Sequence, residues 1–165
     1  MKKSMKDRGS VVFTKTSMSA PTSPPVRLPN LAGLTLLVVD DDVDSAEILA
    51  VFLKGCGASV LIAPTVSGAL AYIDEARKLD AVVTDIAMPG IAGVELARKL
   101  RRNPIRDTLP IVAILGLNDD DPRPHVFDAF LKKPVDMGLL ATVIASMTQR
   151  RNERPDVADP GRVMH

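Results

Sequence analysis

The chain has 165 residues, of which 46% are hydrophobic and 3% are aromatic. That length suits one globular domain and leaves little room for a second. A single cysteine, Cys56, excludes an intramolecular disulfide bond and, with only two histidines, a Cys/His zinc site, so we interpret Cys56 as a packing residue. No stretch is long and apolar enough to span a bilayer or to serve in a secretion signal. We therefore predict a cytoplasmic protein.

The net charge of +1 conceals a basic N-terminus. Residues 1–30 carry six Lys or Arg side chains and one Asp, a net charge of +5, and residues 150–165 carry +1, which leaves −5 for residues 31–149. Such a basic segment can contact nucleic acid or anionic lipid. It is rich in Ser, Thr and Pro, however, and has no pattern of interleaved aromatic residues, so we predict a disordered leader with no nucleic acid or membrane partner. The folded domain is predicted at 31–149 and a flexible tail at 150–165.

Short apolar runs predict five strands from Leu34 onward. They are Leu34–Val39, Ser59–Ala63, Ala81–Thr84, Ile111–Leu115 and Ala129–Leu131. Helical patterns separate most of them, and alternating strands and helices favour a parallel sheet that is covered on both faces by right-handed crossovers. The predicted fold class is α/β, a doubly wound five-stranded parallel sheet.

Four helices are predicted from apolar spacing and from capping residues. Thr65 is expected to cap the second, the third is expected to stop near Asn103-Pro104, and Asp136 is expected to cap the last. The first and last helices are predicted to be buried along the faces formed by Ser45, Ile48, Leu49, Phe52 and Leu53, and by Leu139, Leu140, Val143, Ile144 and Met147.

Residues 116–127 connect the fourth and fifth strands. They include the run Asp119-Asp120-Asp121-Pro122-Arg123-Pro124. Two prolines so close together, after an acidic run, disfavour a stable helix. The helix of this crossover is therefore predicted to be shortened or missing.

Charged residues follow the ends of three predicted strands: Asp40 and Asp41 the first, Asp85 the third, and Lys133 the fifth. The carboxyl ends of parallel strands meet at one edge of a sheet, where ligands bind. Three carboxylates brought together need a cation, and a hard divalent ion such as Mg²⁺ fits oxygen ligands. A carboxylate can attack phosphorus to give an acyl phosphate, and a lysine opposite would pair with the phosphoryl oxygens.

Three blocks are similar to the signatures of response-regulator receiver domains of two-component signalling, in the same order and at similar separations. They are 36–42 (LLVVDDD), 85–90 (DIAMPG) and 130–134 (FLKKP), and the resemblance runs from about Leu34 to Met147. It implies a flavodoxin-like receiver fold. It also implies an aspartyl phosphate formed in phosphorelay signal transduction.

The resemblance also assigns roles. Asp85 becomes the phosphoacceptor, and Asp40 and Asp41 become the acidic pair that holds Mg²⁺, with Asp41 as a direct ligand and the backbone carbonyl of Ala87 as another. Lys133 becomes the phosphate-sensing lysine, followed by a cis peptide bond to Pro134. Phe130 stands where the family keeps its switch aromatic, although without the hydroxyl of the commoner Tyr.

As implied function, the chain would be a stand-alone receiver that takes its phosphoryl group from a sensor histidine kinase or a histidine phosphotransfer protein. It would not be an enzyme beyond Mg²⁺-dependent self-phosphorylation and slow autodephosphorylation. Eighteen residues follow Met147, too few for an effector domain, so output is expected through a downstream protein partner.

Leu115 departs from the family pattern, which has Thr or Ser at the end of the fourth strand. No Ser or Thr occurs between Thr108 and Thr142, so no shifted alignment supplies the hydroxyl. This departure keeps open an alternative function, an atypical receiver that acts as a protein-interaction module without productive phosphorylation.

Two other classes fit less well. A calcium-binding loop that starts at Asp40 would need Gly at Ser45 and Glu at Val51. A phosphohydrolase of the haloacid dehalogenase type would need Thr or Val at Asp44.

Overall fold

The computed structural model describes residues 27–76, 78–90, 92–116 and 125–153. Five strands are present, β1 (Thr35–Val39), β2 (Ser59–Ala63), β3 (Ala81–Asp85), β4 (Ile111–Leu115) and β5 (Ala129–Lys132). Four helices accompany them, α1 (Val43–Gly55), α2 (Val66–Glu75), α3 (Ala92–Arg102) and α4 (Met137–Glu153). All five predicted strands are confirmed, and no boundary is wrong by more than one residue.

The strands form one parallel sheet in the order β2-β1-β3-β4-β5. Alternate residues of each strand point to opposite faces. One face packs against α2 and α3, for example through Leu37 and Val82. The other face packs against α1 and α4, for example through Val38 and Val83. The predicted doubly wound α/β fold is confirmed, and β1 lies beside β3.

Two predicted helix caps are confirmed. The backbone N–H of Gly68 donates to Thr65 Oγ1 at 3.1 Å. The backbone N–H of Leu139 donates to Asp136 Oδ1 at 2.9 Å. Each cap satisfies a backbone N–H that the first turn of a helix leaves without a partner.

The predicted buried faces of α1 and α4 are wrong at one residue each. Ile48 is 60% exposed and Leu139 is 51% exposed. Small residues take the buried positions instead, namely Ala46 and Ala50 in α1 and Ala141 in α4. The prediction was based on the spacing of large apolar side chains. Where a helix lies close to a sheet, however, small side chains such as alanine fit at the contact.

Several predictions fall on residues outside the described ranges. Residues 117–124 are among them, so the shortened or missing helix at 116–127 stays a prediction; the described flanks, Gly116 and residues 125–128, contain no helix. The predicted leader and tail lie mostly at residues 1–26 and 154–165, outside the described part. Where the helices are described, none is both long and apolar enough to cross a membrane.

Candidate functional site

Three carboxylates meet at the carboxyl edge of the sheet. Asp40 follows β1 directly and is 2% exposed, Asp85 ends β3 and is 4% exposed, and Asp41 is exposed. One carboxylate oxygen from each lies within 4.8 Å of the other two. The neighbouring positions of β1 and β3 bring these residues together although 45 positions separate Asp40 from Asp85. This cluster could bind a metal ion.

Both oxygens of the Asp85 carboxylate are held. The backbone N–H of Ala87 donates to Oδ1 at 2.8 Å, and Lys133 Nζ donates to Oδ2 at 2.8 Å. The hydrogen bond from Lys133 to Asp85 raises the pKa of the lysine, with a further contribution from the charge of Asp40, and burial opposes this shift. Lys133 therefore carries its positive charge against Asp85. The Lys133-Pro134 peptide bond is cis, as the family resemblance implied.

Burial raises the pKa of the Asp40 carboxyl, and the nearby Asp85 charge adds to this shift. The hydrogen bond from the backbone N–H of Asp42 to Asp40 Oδ1, at 2.9 Å, opposes it. A buried carboxylate beside two others is stabilised in its charged form by a nearby cation. Hard cations such as Mg²⁺ take oxygen ligands, so the carboxylate oxygens of Asp40, Asp41 and Asp85 fit such a cation.

The family resemblance predicted that Leu115 and Phe130 occupy the switch positions beside this site. Leu115 ends β4 and is 4% exposed, and its carbonyl oxygen accepts the backbone N–H of Lys133 at 2.8 Å. Phe130 is half-buried on the face that carries α2 and α3. Its ring meets that of Phe127 edge to face, with the centroids 5.5 Å apart at an interplanar angle of 72°. Phe127 was not predicted to have a role, and its aromatic side chain three residues before Phe130 was the available signal.

Sequence reasoning also missed Gly93, in the first turn of α3. A Cβ at this position would lie 2.6 Å from the backbone oxygen of Asp85 and 3.3 Å from Thr84 Oγ1. Glycine here lets α3 approach the end of β3 more closely than any side chain would permit. A glycine inside a predicted helix, where it is unfavourable without a packing reason, was the available signal.

Comparison with known proteins gives a consistent result. A family model for the response regulator receiver domain matches residues 36–145. The chain is 38% identical over 111 residues to an uncharacterized 14.6 kDa protein of Leptolyngbya boryana. The match covers 64% of this chain and 83% of that protein. It is also 35% identical over 91 residues to the phosphate regulon transcriptional regulatory protein PhoB of Pseudomonas aeruginosa. That match covers 55% of this chain but only 39% of PhoB.

The fold is likewise similar to solved structures. A response regulator receiver protein from Pseudomonas putida superposes with a TM-score of 0.63 at 29% sequence identity. The match covers 68% of this chain and 96% of the Pseudomonas putida chain.

Proposed function

Because the chain belongs to the response regulator receiver domain family of two-component signalling, we propose that it accepts a phosphoryl group on Asp85 in a phosphorelay. The geometry around Asp85 carries this proposal. Its buried carboxylate lies 2.8 Å from the Lys133 ammonium and within 4.8 Å of the Asp40 and Asp41 oxygens. Phosphoryl transfer to an aspartate needs a carboxylate as nucleophile, a group of residues that binds a cation, and a fixed positive charge.

The donor would be a phosphohistidine of a sensor histidine kinase or of a histidine phosphotransfer protein. A carboxylate oxygen of Asp85 attacks phosphorus, a P–O bond forms, and the P–N bond to the donor imidazole breaks, leaving its electron pair on nitrogen. Lys133 then pairs with the new phosphoryl oxygens. Asp40, Asp41, Asp85 and the carbonyl oxygen of Ala87 would hold Mg²⁺, whose charge offsets that of the carboxylates and of the phosphoryl group.

We extend the proposal to the organisation of the chain. Residues 31–149 act as a cytoplasmic receiver, and the signal passes to a downstream protein partner. The domain is a phosphoprotein rather than an enzyme, apart from self-phosphorylation and slow loss of the phosphoryl group. Co-purification of a partner that depends on phosphorylation would test this extension.

A second candidate function rests on Leu115. Its side chain is buried at the end of β4 and offers no hydrogen bond to a phosphoryl group on Asp85. A receiver of this kind could bind partners through its surface without a phosphorylation switch. Incubation with an acyl phosphate donor and Mg²⁺, followed by the mass of the intact protein, separates the two candidates, since addition of one acid-labile phosphoryl group supports the first and no addition supports the second.

Mg²⁺ is expected to stabilise the fold. A ligand that binds only the folded state adds about 2.7 kcal/mol to the free energy of unfolding at a free concentration of 100 Kd. The melting temperature should therefore rise with Mg²⁺ concentration, and Asp41→Ala should reduce that rise because it removes one of the three carboxylates. Glu47→Ala is a matched control, since Glu47 is exposed on α1 and lies outside the acidic cluster. A parent protein with a melting temperature unaffected by millimolar Mg²⁺ would contradict a cation site here.

The structural change caused by phosphorylation is expected to extend only a short distance through the domain. A hydrogen bond to a charged group contributes roughly 1.5–3 kcal/mol, and Leu115 cannot supply it, while the Phe130 ring is already packed against Phe127. Phosphorylation, or beryllofluoride, should shift the amide resonances near Asp85 and Lys133 and leave those of Phe130 and α4 nearly unchanged.

The variants Leu115→Thr and Leu115→Val provide the control for this prediction. Thr and Val have nearly the same branched shape, and only Thr has a hydroxyl. Leu115→Thr should therefore extend the perturbed region toward Phe130, whereas Leu115→Val should not. Broad shifts across Phe130 and residues 137–147 in the parent protein would show that the coupling runs by a route that does not need the hydroxyl.

A further inference from the structure

Asp42 caps α1 through three hydrogen bonds to its side chain. The backbone N–H groups of Asp44 and Ser45 donate to Oδ1 at 3.1 and 3.4 Å, and the Ser45 hydroxyl donates to Oδ2 at 2.9 Å. Its backbone has the extended conformation of a cap residue, with φ −82° and ψ 102°. Both carboxylate oxygens are therefore committed to the first turn of the helix.

The main chain of the same residue contacts the acidic cluster. The Asp42 N–H donates to Asp40 Oδ1 at 2.9 Å. Asp40 is almost fully buried, and rotation about its side-chain bonds would break this hydrogen bond. The orientation of the Asp40 carboxylate is thus tied to the position of the Asp42 peptide, which in turn is fixed by the helix cap.

We propose that Asp42 is a positioning residue for the cation site: by capping α1 it holds its own N–H against Asp40 and so orients that carboxylate toward Asp41 and Asp85. This role rests on the proposed function, because it assumes that the three carboxylates bind Mg²⁺. Asp42 itself is exposed and lies outside the group of three carboxylates whose oxygens converge. Its contribution is made through the geometry of Asp40, not as a ligand.

The chain offers a matched pair of helix caps for the test. Thr65 caps α2 through one hydrogen bond from the Gly68 N–H, and no residue of the acidic cluster belongs to that turn. Asp42→Ala and Thr65→Ala each remove a cap. Asp42→Asn replaces one good capping residue with another and removes the charge; its amide N–H stands in place of Oδ2 and can donate to the Ser45 hydroxyl, which keeps that hydrogen bond with its direction reversed. The experiment measures the Kd for Mg²⁺ by calorimetric titration, and the melting temperature without Mg²⁺, for the full chain and for each variant at fixed ionic strength.

The expected results separate positioning from capping alone. Asp42→Ala should raise the Kd for Mg²⁺ by about tenfold or more, the size of effect seen when a residue that orients a metal ligand is removed. Asp42→Asn should keep a Kd close to that of the parent. Thr65→Ala should lower the melting temperature and leave the Kd unchanged. If Asp42→Ala is poorly folded, Ser45→Ala removes only the partner of Oδ2 and should weaken Mg²⁺ binding to a smaller extent.

Three outcomes would overturn the inference. An unchanged Kd in Asp42→Ala or in Ser45→Ala, with a lower melting temperature, would make Asp42 a helix cap and nothing more. An equal loss of affinity in Asp42→Asn and Asp42→Ala would show that the charge of Asp42 acts directly. A parent protein that binds no Mg²⁺ would contradict the cation site itself, and this failure is distinct because it is seen before any variant is compared.

Discussion

Replacement of Asp85 by Asn is expected to abolish phosphoryl transfer to this protein. The amide of Asn has nearly the shape of the carboxylate but is not a nucleophile toward phosphorus. Incubation with an acyl phosphate donor and Mg²⁺ should add one acid-labile phosphoryl group to the parent protein and none to the variant, as measured by the mass of the intact chain.

The loss should not come from unfolding. Asp85→Asn removes one of three neighbouring carboxylates and so lowers their mutual repulsion. The Lys133 side chain is 37% exposed and stays hydrated without its partner. A circular dichroism melt of the variant should therefore show a cooperative transition like that of the parent.

Asp80→Asn provides the matched control. Asp80 immediately precedes β3, at the opposite end of the strand from Asp85, and its carboxylate accepts the backbone N–H of Thr35 at 2.7 Å. This variant should accept the phosphoryl group as the parent does. Labelling that persists in Asp85→Asn would place the chemistry at another residue.

Much of the fold could be predicted because strand signals are local. The runs at Ser59–Ala63 and Ile111–Leu115 coincide with β2 and β4, since each is a short apolar segment bounded by polar or turn residues. The acidic cluster could be predicted for a related reason. Once β1 and β3 are parallel neighbours, residues at their carboxyl ends must meet, whatever their separation along the chain.

Features that depend on contacts between elements could not be predicted in this way. The outward position of Ile48 follows from how α1 lies against the sheet, and small residues gave little sign that they formed the contact. The pairing of Phe127 with Phe130 depends on the approach of the chain to β5. The hydrogen bond from Asp42 to Asp40 depends on the path between β1 and α1. Each is set by tertiary packing, which a periodic pattern does not contain.

The position of Lys133 shows how the sheet builds the site. Its backbone N–H donates to the Leu115 carbonyl oxygen at 2.8 Å, which continues the pairing of β5 with β4 by one residue. The β4 strand is in turn paired with β3, where Asp85 lies opposite Ile114. Two adjacent ladders of backbone hydrogen bonds therefore fix the separation of the Lys133 and Asp85 backbones, from which their side chains meet. Leucine at position 115 is compatible with this arrangement because only its carbonyl group takes part.

A large effect on the free energy of unfolding is also expected from Gly93→Ala. This change should lower it, whereas the same change at Gly55 should raise it. An added Cβ at position 93 would meet the backbone oxygen of Asp85 at 2.6 Å, whereas one at position 55 would meet no heavy atom within 4 Å. Backbone cannot rotate away as a flexible side chain can, so α3 or the end of β3 must shift.

Gly93→Ala should therefore lower the free energy of unfolding by about 1–3 kcal/mol, the usual cost of forcing extra volume into a packed site. Gly55→Ala, at the end of α1, should raise it by up to about 1 kcal/mol, because alanine favours the helix. Urea denaturation of both variants measures the two free energies. Since the displaced atoms belong to Asp85, Gly93→Ala should also slow the addition of a phosphoryl group under conditions where the variant is still folded, and Gly55→Ala should not. A folded Gly93→Ala protein with the stability and labelling rate of the parent would show that α3 can move away without disturbing Asp85.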